Sequence, residues 1–491
     1  MIELNQNVKP IIGLEIHVEL DTETKMFCRC RNRFGDPPNT HVCPVCTGLP
    51  GTLPVMNKKA VEYSMRVGLA LGCSVPDFTK WDRKSYYYPD LPKDYQISQY
   101  DLPLAAEGKL EVPLEDGSVK TIRILRAHLE EDAGKNVHDN PSHTGIDLNR
   151  AGVPLLEIVS QPNMNSPAEA LAYAQAMQRL VRWLGVSEAN MQMGHMRFEP
   201  NINLHIIHQG AVYKTPIVEV KNLNSFRALE AACRFEIDRQ YDAWQADHDY
   251  TLEKHGKQNR GFDDARGITV FQRGKEEAHD YRYFPDPDLV PVLIDDAWRQ
   301  RVAASIGELP LARRKRFIDA YGLSFKDADA LTQDPATGDL LDRAVGAGAM
   351  PNRVCNFLLG QIAAQANTRN CSLAEVGVSA EQLAELARMT DEGKVNATAA
   401  GKILEILIES GGNPSQIAQA EGLLAMRDLG QIETWVDEAI AANPQAVQQV
   451  KEGGKKQKKA FGFLTGQVMQ KSRGTAPPAE VQKLLQSKLG Q

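Results

Sequence analysis

The stretch that most constrains this chain is Ile11–Leu20, IIGLEIHVEL. Apolar and polar residues alternate in it with a period of two, the pattern of a strand with one buried and one polar face. Leu14, Ile16, Val18 and Leu20 fall on one side; Glu15, His17 and Glu19 fall on the other. A chain that buries this apolar floor must present two carboxylates and an imidazole in a row above it. A second acidic cluster, His128-Leu129-Glu130-Glu131-Asp132, follows an Ile/Leu-rich run at 122–125. Converging carboxylates repel one another unless a cation stands between them. The simplest reading is a divalent-metal site that handles a phosphorylated substrate.

Other segments repeat the pattern. Val153–Val159 places a lone Glu157 in an apolar run, where a carboxylate needs a partner or a metal. Met196–Ile207 alternates Arg197, Glu199, Asn201, Asn203 and His205 against Phe198, Ile202, Leu204 and Ile206, and Val218–Lys221 adds Glu219 and Lys221 on one side. The bland alternative is a set of solvated strand faces, which more often carry Lys, Thr and Ser. This mixture of Glu, His, Asn and Arg favours a sheet lining a cleft, with an acidic floor and basic rims. Arg197 and Lys221 are candidates to meet phosphate or carboxylate charge. Pro200 beside Glu199 points to an edge strand or a bulge.

Cys28-x-Cys30 and Cys43-Pro-Val-Cys46 bring four thiols within nineteen residues. Two paired-cysteine knuckles match tetrahedral zinc, and four thiolates fill its shell, so such a zinc is structural. The alternative is four buried cysteines without a ligand. Met1–Pro10 is polar and no apolar run is long enough to span a bilayer, so a cytoplasmic chain without membrane attachment is expected. Thiols stay reduced there, which favours metal over disulfides. Cys73, Cys233, Cys355 and Cys371 are scattered and read as core residues. The net charge of −7 excludes a global basic field, so any nucleic-acid contact needs a local patch.

The region to about Val292 is strand-rich. Within it, Ser166-Pro167-Ala168-Glu169 opens a helix that Gly185 ends, Asn224-Ser225 opens another through about Trp244, and His248–Arg266 reads as an exposed polar loop. Asp82–Asp90 combines three tyrosines with two cations, fit to stack a base or to cover the core. Asp280–Asp288 reads as a rigid proline-set turn. Composition then shifts to Ala, Leu, Glu and Gln with helical spacing. The expected class is α+β: a strand-rich domain over 1–295, a helical connector over 296–345, and a helical region over 346–491. The tail Lys451–Arg473 is basic, with Lys455, Lys456, Lys458, Lys459, Lys471 and Arg473 as phosphate contacts, or a solvated face. No GxxxxGK[ST], GxGxxG or GxSxG segment is present.

Longer motifs carry a family resemblance. Gly13–Leu20, Tyr88–Lys93, Gln96–Gln99, His128–Lys135, Asn149–Ser160, Lys221–Phe226, Asp280–Leu289 and Gly462–Met469 together resemble GatB, a component of the glutamyl/aspartyl-tRNA amidotransferase, end to end. The resemblance implies a cradle-like catalytic domain with the zinc knuckle, a helical domain, and a small helical C-terminal tail that holds tRNA. It implies a heterotrimer, the GatCAB complex, in which the partners are an amidase subunit and a small third subunit. It implies that ATP and Mg2+ activate the side-chain carboxylate of misacylated Glu-tRNA or Asp-tRNA, and that ammonia from the amidase then amidates it. It implies Glu15, His17, Glu131, Glu157, Arg197, Glu199 and Lys221 as reaction-site residues, with His17, Glu157 and either Glu130 or Glu131 facing magnesium. Strict alternation would set Glu130 beside His128 and Glu131 on the other face. The resemblance favours Glu131, which requires a bulge or strand end there. Where the family commonly reads Met-Arg-Cys-Asp-x-Asn, this chain reads Met196–Asn201 with Phe198 and Glu199. The competing class is a zinc-stapled tRNA-binding scaffold whose partner does the chemistry. The related archaeal-type GatE carries an extra central domain, for which this chain has no room.

Overall fold

Ile12, Leu14, Ile16, Val18 and Leu20 are each at most 1% exposed, so the alternating segment does bury one whole face. At roughly 1.5–3 kcal/mol per large apolar side chain, this strand alone anchors the core of the sheet around it. The computed structural model describes residues 7–490 apart from 141, 275–277, 426–428, 453–456 and 473, and describes 273, 278 and 279 by their backbone alone.

Strand Val8–Glu19 lies at the centre of a nine-stranded sheet. On one side follow Pro154–Ser160, Val119–Glu131 and Ala105–Pro113; on the other follow Met196–His208, Ile217–Lys221, Lys257–Asp263 and Ile268–Gly274, with Ala211–Lys214 as a hairpin on Met196–His208. All pairings are antiparallel except that of Ile217–Lys221 with Lys257–Asp263. Helices Lys58–Ala70, Pro167–Trp183 and Phe226–Ala246 cover the apolar face. Ser166 caps the second of these as its sequence foretold, accepting from the Glu169 N–H; the Glu169 carboxylate accepts in turn from Asn165 N. Ser225 caps the third through Ala228 N.

Two sequence expectations fail within the sheet. His248–Arg266 is not a loop: it contains helix Leu252–His255 and strand Lys257–Asp263, which puts Phe262 into the core. That strand buries Asn259 and Gly261 rather than an apolar row, so periodicity did not reveal it. Pro200 marks neither an edge nor a bulge, for it pairs with Leu14 in the interior of the sheet. Leu14 N donates away from it, to Ser160 Oγ, so Leu14–Pro200 is a non-hydrogen-bonded pair. The proline nitrogen faces the other neighbour, where the ladder to Ile217–Lys221 ends at Asn201.

The chain divides into two compact units at Leu309/Pro310. Helix Asp296–Ala304 packs within the first unit, where Trp298 Nε1 donates to Glu62. The second unit is helical and holds two cores. One is built from residues between Phe317 and Leu423, the other from residues between Ile432 and Leu489. No described helix is long and apolar enough to cross a membrane.

Candidate active site and metal centres

The polar face of the sheet is set by strand register. Arg197, His17, Glu157 and His128 are cross-strand partners on four consecutive strands. Glu130 lies two residues beyond His128 and so shares its face. His17 Nε2 stands 3.4 Å from Glu157 Oε2 and 3.9 Å from Glu130 Oε1; His128 Nε2 stands 3.5 Å from the same Glu157 oxygen. One ligand atom each from His17, Glu130 and Glu157 lies within 4.8 Å of the others. The Nδ1 atoms of His17 and His128 are buried without a hydrogen-bond partner among the described residues. Two carboxylates and one imidazole suit a hard divalent cation such as Mg2+ or Mn2+.

The charges here are unequal. Burial acts to depress His17, but the hydrogen bond and charge of Glu157, with Glu199 and Glu130, carry it up to about 9. Burial, with Arg126, Lys84 and His17 nearby, takes His128 down to about 4 in spite of Glu157. Burial also lifts Glu130 to about 7. Glu157 would be raised by burial too, yet the two imidazoles and Lys84 hold it well below the ordinary carboxylate range. One carboxylate thus serves both histidines, and a cation held here would take the place of the proton that Glu157 favours on His17.

The structure does not place Glu131 in this group. No bulge intervenes, Glu131 pairs with Pro154 at the strand end, and alternation turns it to the opposite face. There it pairs with Lys93 and accepts from Ile97 N at 3.0 Å. It lines a cavity of about 190 Å³ together with Cys28, Cys46 and Gly152. Glu130 is therefore the residue the register delivers to His17 and Glu157.

The two candidate cations are both engaged. Arg197 pairs with Asp132 and stands 3.7 Å from Glu19. Lys221 lies 2.6 Å from both Glu199 and Glu219. Asn201 Nδ2 donates to Glu15 at 2.9 Å, and Glu15 is the cross-strand partner of Glu199. Asp132 would be raised by burial but is held at about 2 by Arg150 and Arg197, whereas burial and Asp132 push Glu19 up to about 8.

One cation in the cleft was not foreseen as a site residue. Lys84, on strand Asp82–Ser85, is held well above the usual lysine range: burial opposes this, but Glu130, Tyr283 and Glu157 outweigh it. Its Nζ lies 5.0 Å from the Tyr281 ring centroid, and Tyr100 stacks on Tyr283 at 4.3 Å. The Asp82–Asp90 segment stands out for its composition, but nothing local to it points to Glu130.

The four knuckle cysteines do converge. Each offers a sulfur, and these lie within 4.8 Å of one another, with Cys43 and Cys46 Sγ 3.8 Å apart. Sulfurs around a tetrahedral zinc at about 2.3 Å stand about 3.8 Å apart, so the set fits such a metal. The Cys46 thiol is pulled down to about 4 by a hydrogen bond from Cys28, helped by Lys25, while Cys28 itself is pushed up. Gly152 closes against this knuckle at φ +86°, with a would-be Cβ 3.5 Å from Cys46 Cβ.

In the tail, Lys458 and Lys459 are exposed, and Lys471 is paired with Glu438 at 2.6 Å. Lys455, Lys456 and Arg473 lie outside the described residues.

A profile described as the GatB/GatE catalytic domain matches residues 10–300, which takes in the cysteine cluster and all of the sheet but Val8 and Lys9. The chain belongs to the GatB/GatE family. A second profile, described as a GatB domain, matches 339–489. Among GatB relatives, one from Carboxydothermus hydrogenoformans is 44% identical over 486 residues, covering 98% of either chain. Others from Moorella thermoacetica and Rhodopirellula baltica are each 45% identical, covering 98% and 97% of this chain and 99% and 96% of theirs. All three are described as the GatB subunit of an aspartyl/glutamyl-tRNA(Asn/Gln) amidotransferase.

Proposed function

We propose that this chain is the carboxylate-activating subunit of a tRNA-dependent amidotransferase, a carbon–nitrogen ligase that takes its amido group from glutamine. Its substrate is the side-chain carboxylate of misacylated Glu-tRNA(Gln), Asp-tRNA(Asn) or both. ATP phosphorylates that carboxylate to an acyl phosphate and leaves as ADP. Ammonia delivered by a glutaminase partner then attacks the acyl carbon, and inorganic phosphate departs. The carboxylate needs this step because its own oxygen is a poor leaving group. The partners are the amidase and the small third subunit of a GatCAB heterotrimer, and the setting is the cytoplasm.

The observation that carries the reading is the His17–Glu130–Glu157 set, whose ligand atoms all lie within 4.8 Å of one another. These residues would hold Mg2+, which when bound draws the anionic carboxylate and the anionic triphosphate together. Arg197 and Lys221 shape the surrounding field through Asp132, Glu199 and Glu219. Cys28, Cys30, Cys43 and Cys46 would hold a structural Zn2+.

The deciding experiment is phosphate release from ATP by the reconstituted complex, with and without misacylated tRNA, for wild type and His17→Ala. Release that requires the tRNA and Mg2+, and is lost in the variant while tRNA affinity persists, supports the reading. Turnover indifferent to His17 rejects it in favour of a tRNA-holding scaffold.

A further inference from the structure

Lys25 is 0% exposed, with its amine buried in the cysteine knuckle. A lysine ammonium carries three donor protons. Here three acceptors surround it: His41 O at 2.6 Å, Leu148 O at 3.2 Å and Cys46 Sγ at 3.8 Å. Of these, the sulfur is the one that carries negative charge when it binds a metal. A buried cation without a counter-charge is strongly disfavoured. A zinc with four thiolates carries a net charge of minus two, and at the buried Cys46 sulfur that charge calls for a cation nearby. Each group supplies what the other lacks.

We propose that Lys25 is the built-in counter-cation of the zinc tetrathiolate and that it controls how firmly zinc is held. The inference rests on the reading of the knuckle as a zinc site. The N–H···S contact withdraws charge from the Cys46 thiolate, making it a poorer target for protons and electrophiles. The two carbonyl contacts aim the amine. One reaches the loop two residues before Cys43, and the other reaches Leu148, at the base of the hairpin formed by Lys135–Asn140 and His143–Asp147. A plain bracket for these carbonyls is the competing role, and it would not need a charge.

Two variants of the full-length chain separate these roles. Lys25→Gln keeps amide donors for the carbonyls and removes the charge; Lys25→Met removes both. Zinc content is measured by elemental analysis, and zinc release is timed with an excess of chromophoric chelator. The expectation is about one zinc per wild-type chain, and release accelerated at least about tenfold in both variants, in the range set by loss of a group that hydrogen-bonds a ligand. Alkylation of the knuckle cysteines should quicken in parallel. Wild-type kinetics in Lys25→Gln would overturn the proposal. Wild-type protein that carries no zinc would instead overturn the metal reading beneath it. Should neither variant fold, amine acylation of the wild type with peptide mass spectrometry decides. Lys25 should resist acylation with zinc bound and react after chelation; equal labelling in the two states rejects the proposal.

Discussion

His17 and Glu157 face each other across neighbouring antiparallel strands, Nε2 to Oε2 at 3.4 Å, and the next strand sets His128 3.5 Å from the same carboxylate oxygen. The site is thus a row across the sheet rather than a motif along the chain. Its members lie far apart in sequence and need no loop to bring them together.

This row separates two neighbouring glutamates. Glu130→Gln is expected to abolish Mn2+ binding, followed by its paramagnetic signal, and to lower ATP-dependent amidation by about a hundredfold or more, since a ligand is worth several kcal/mol of transition-state stabilisation. Glu131→Gln should bind Mn2+ as the wild type does, because that side chain lies on the opposite face with Lys93. Equal losses of metal from the two variants would contradict the register.

Metal removal should have a local signature. Asn39 and His41 of the knuckle bond to Asp147, Ile146 and Asn149 at the hairpin base. Chelating the zinc is expected to speed amide hydrogen exchange at 36–41 and 147–150 while leaving strand Val8–Glu19 protected. Unchanged exchange in both segments would detach the knuckle from the hairpin.

Glu236 predicts an acid-sensitive contribution to stability. It is fully buried with Arg239, Gln240 and Thr269 around it; burial alone would raise it, but these partners lower it from 4.5. A carboxylate lowered in the folded state stabilises fully above its unfolded value, and that stability is lost as pH falls through the folded one. Glu236→Gln should therefore cost on the order of 3 kcal/mol near neutrality, with a gap from wild type that narrows below about pH 4.5. Denaturant melts across the acid range give the answer, and a gap independent of pH would refute it.

The first strand sets the stability of the sheet. Ile16→Ala removes a side chain with 0% exposure and should cost about 2–5 kcal/mol. Urea unfolding of the first unit, followed by tryptophan fluorescence, measures it; a loss under about 1 kcal/mol would mean that the site face tolerates a cavity beneath it.

The tail calls for point changes rather than truncation, because Ala460, Leu464, Val468 and Val481 form its core. Replacing exposed Lys458 and Lys459 by alanine should lower the salt slope of tRNA binding by up to about 2, whereas Lys471→Ala should do less because Glu438 already occupies that amine. Affinity measured over a range of salt concentrations tests both; an unaltered slope in the double variant would make this a solvated face.

Much of this was legible from side-chain alternation. Leu14, Ile16 and Val18 gave the buried floor, and the same count placed His17 opposite it; Ser166 and Ser225 gave their helix starts. Alternation also separates Glu130 from Glu131, and the register, with no bulge between His128 and Glu131, follows it. What stayed hidden is non-local. Lys93, which claims Glu131 on the far face, and Lys84, whose charge acts on Glu130 in the cleft, reach those carboxylates by pairings that their own segments do not encode. Strand Lys257–Asp263 was missed because it buries Asn259 and Gly261, and Pro200 was misread because a strand interior admits proline wherever the neighbouring ladder has already ended.

A site made of cross-strand partners has no independent existence. Slipping any one of its strands by a single residue would turn Ile16 outward for His17, or Ile158 for Glu157, and leave apolar side chains where the polar row now stands. Assembly of the cleft and closure of the core are consequently one event. A partly folded chain holds no weakened version of this site, and selection on its chemistry acts directly on the hydrophobic floor underneath.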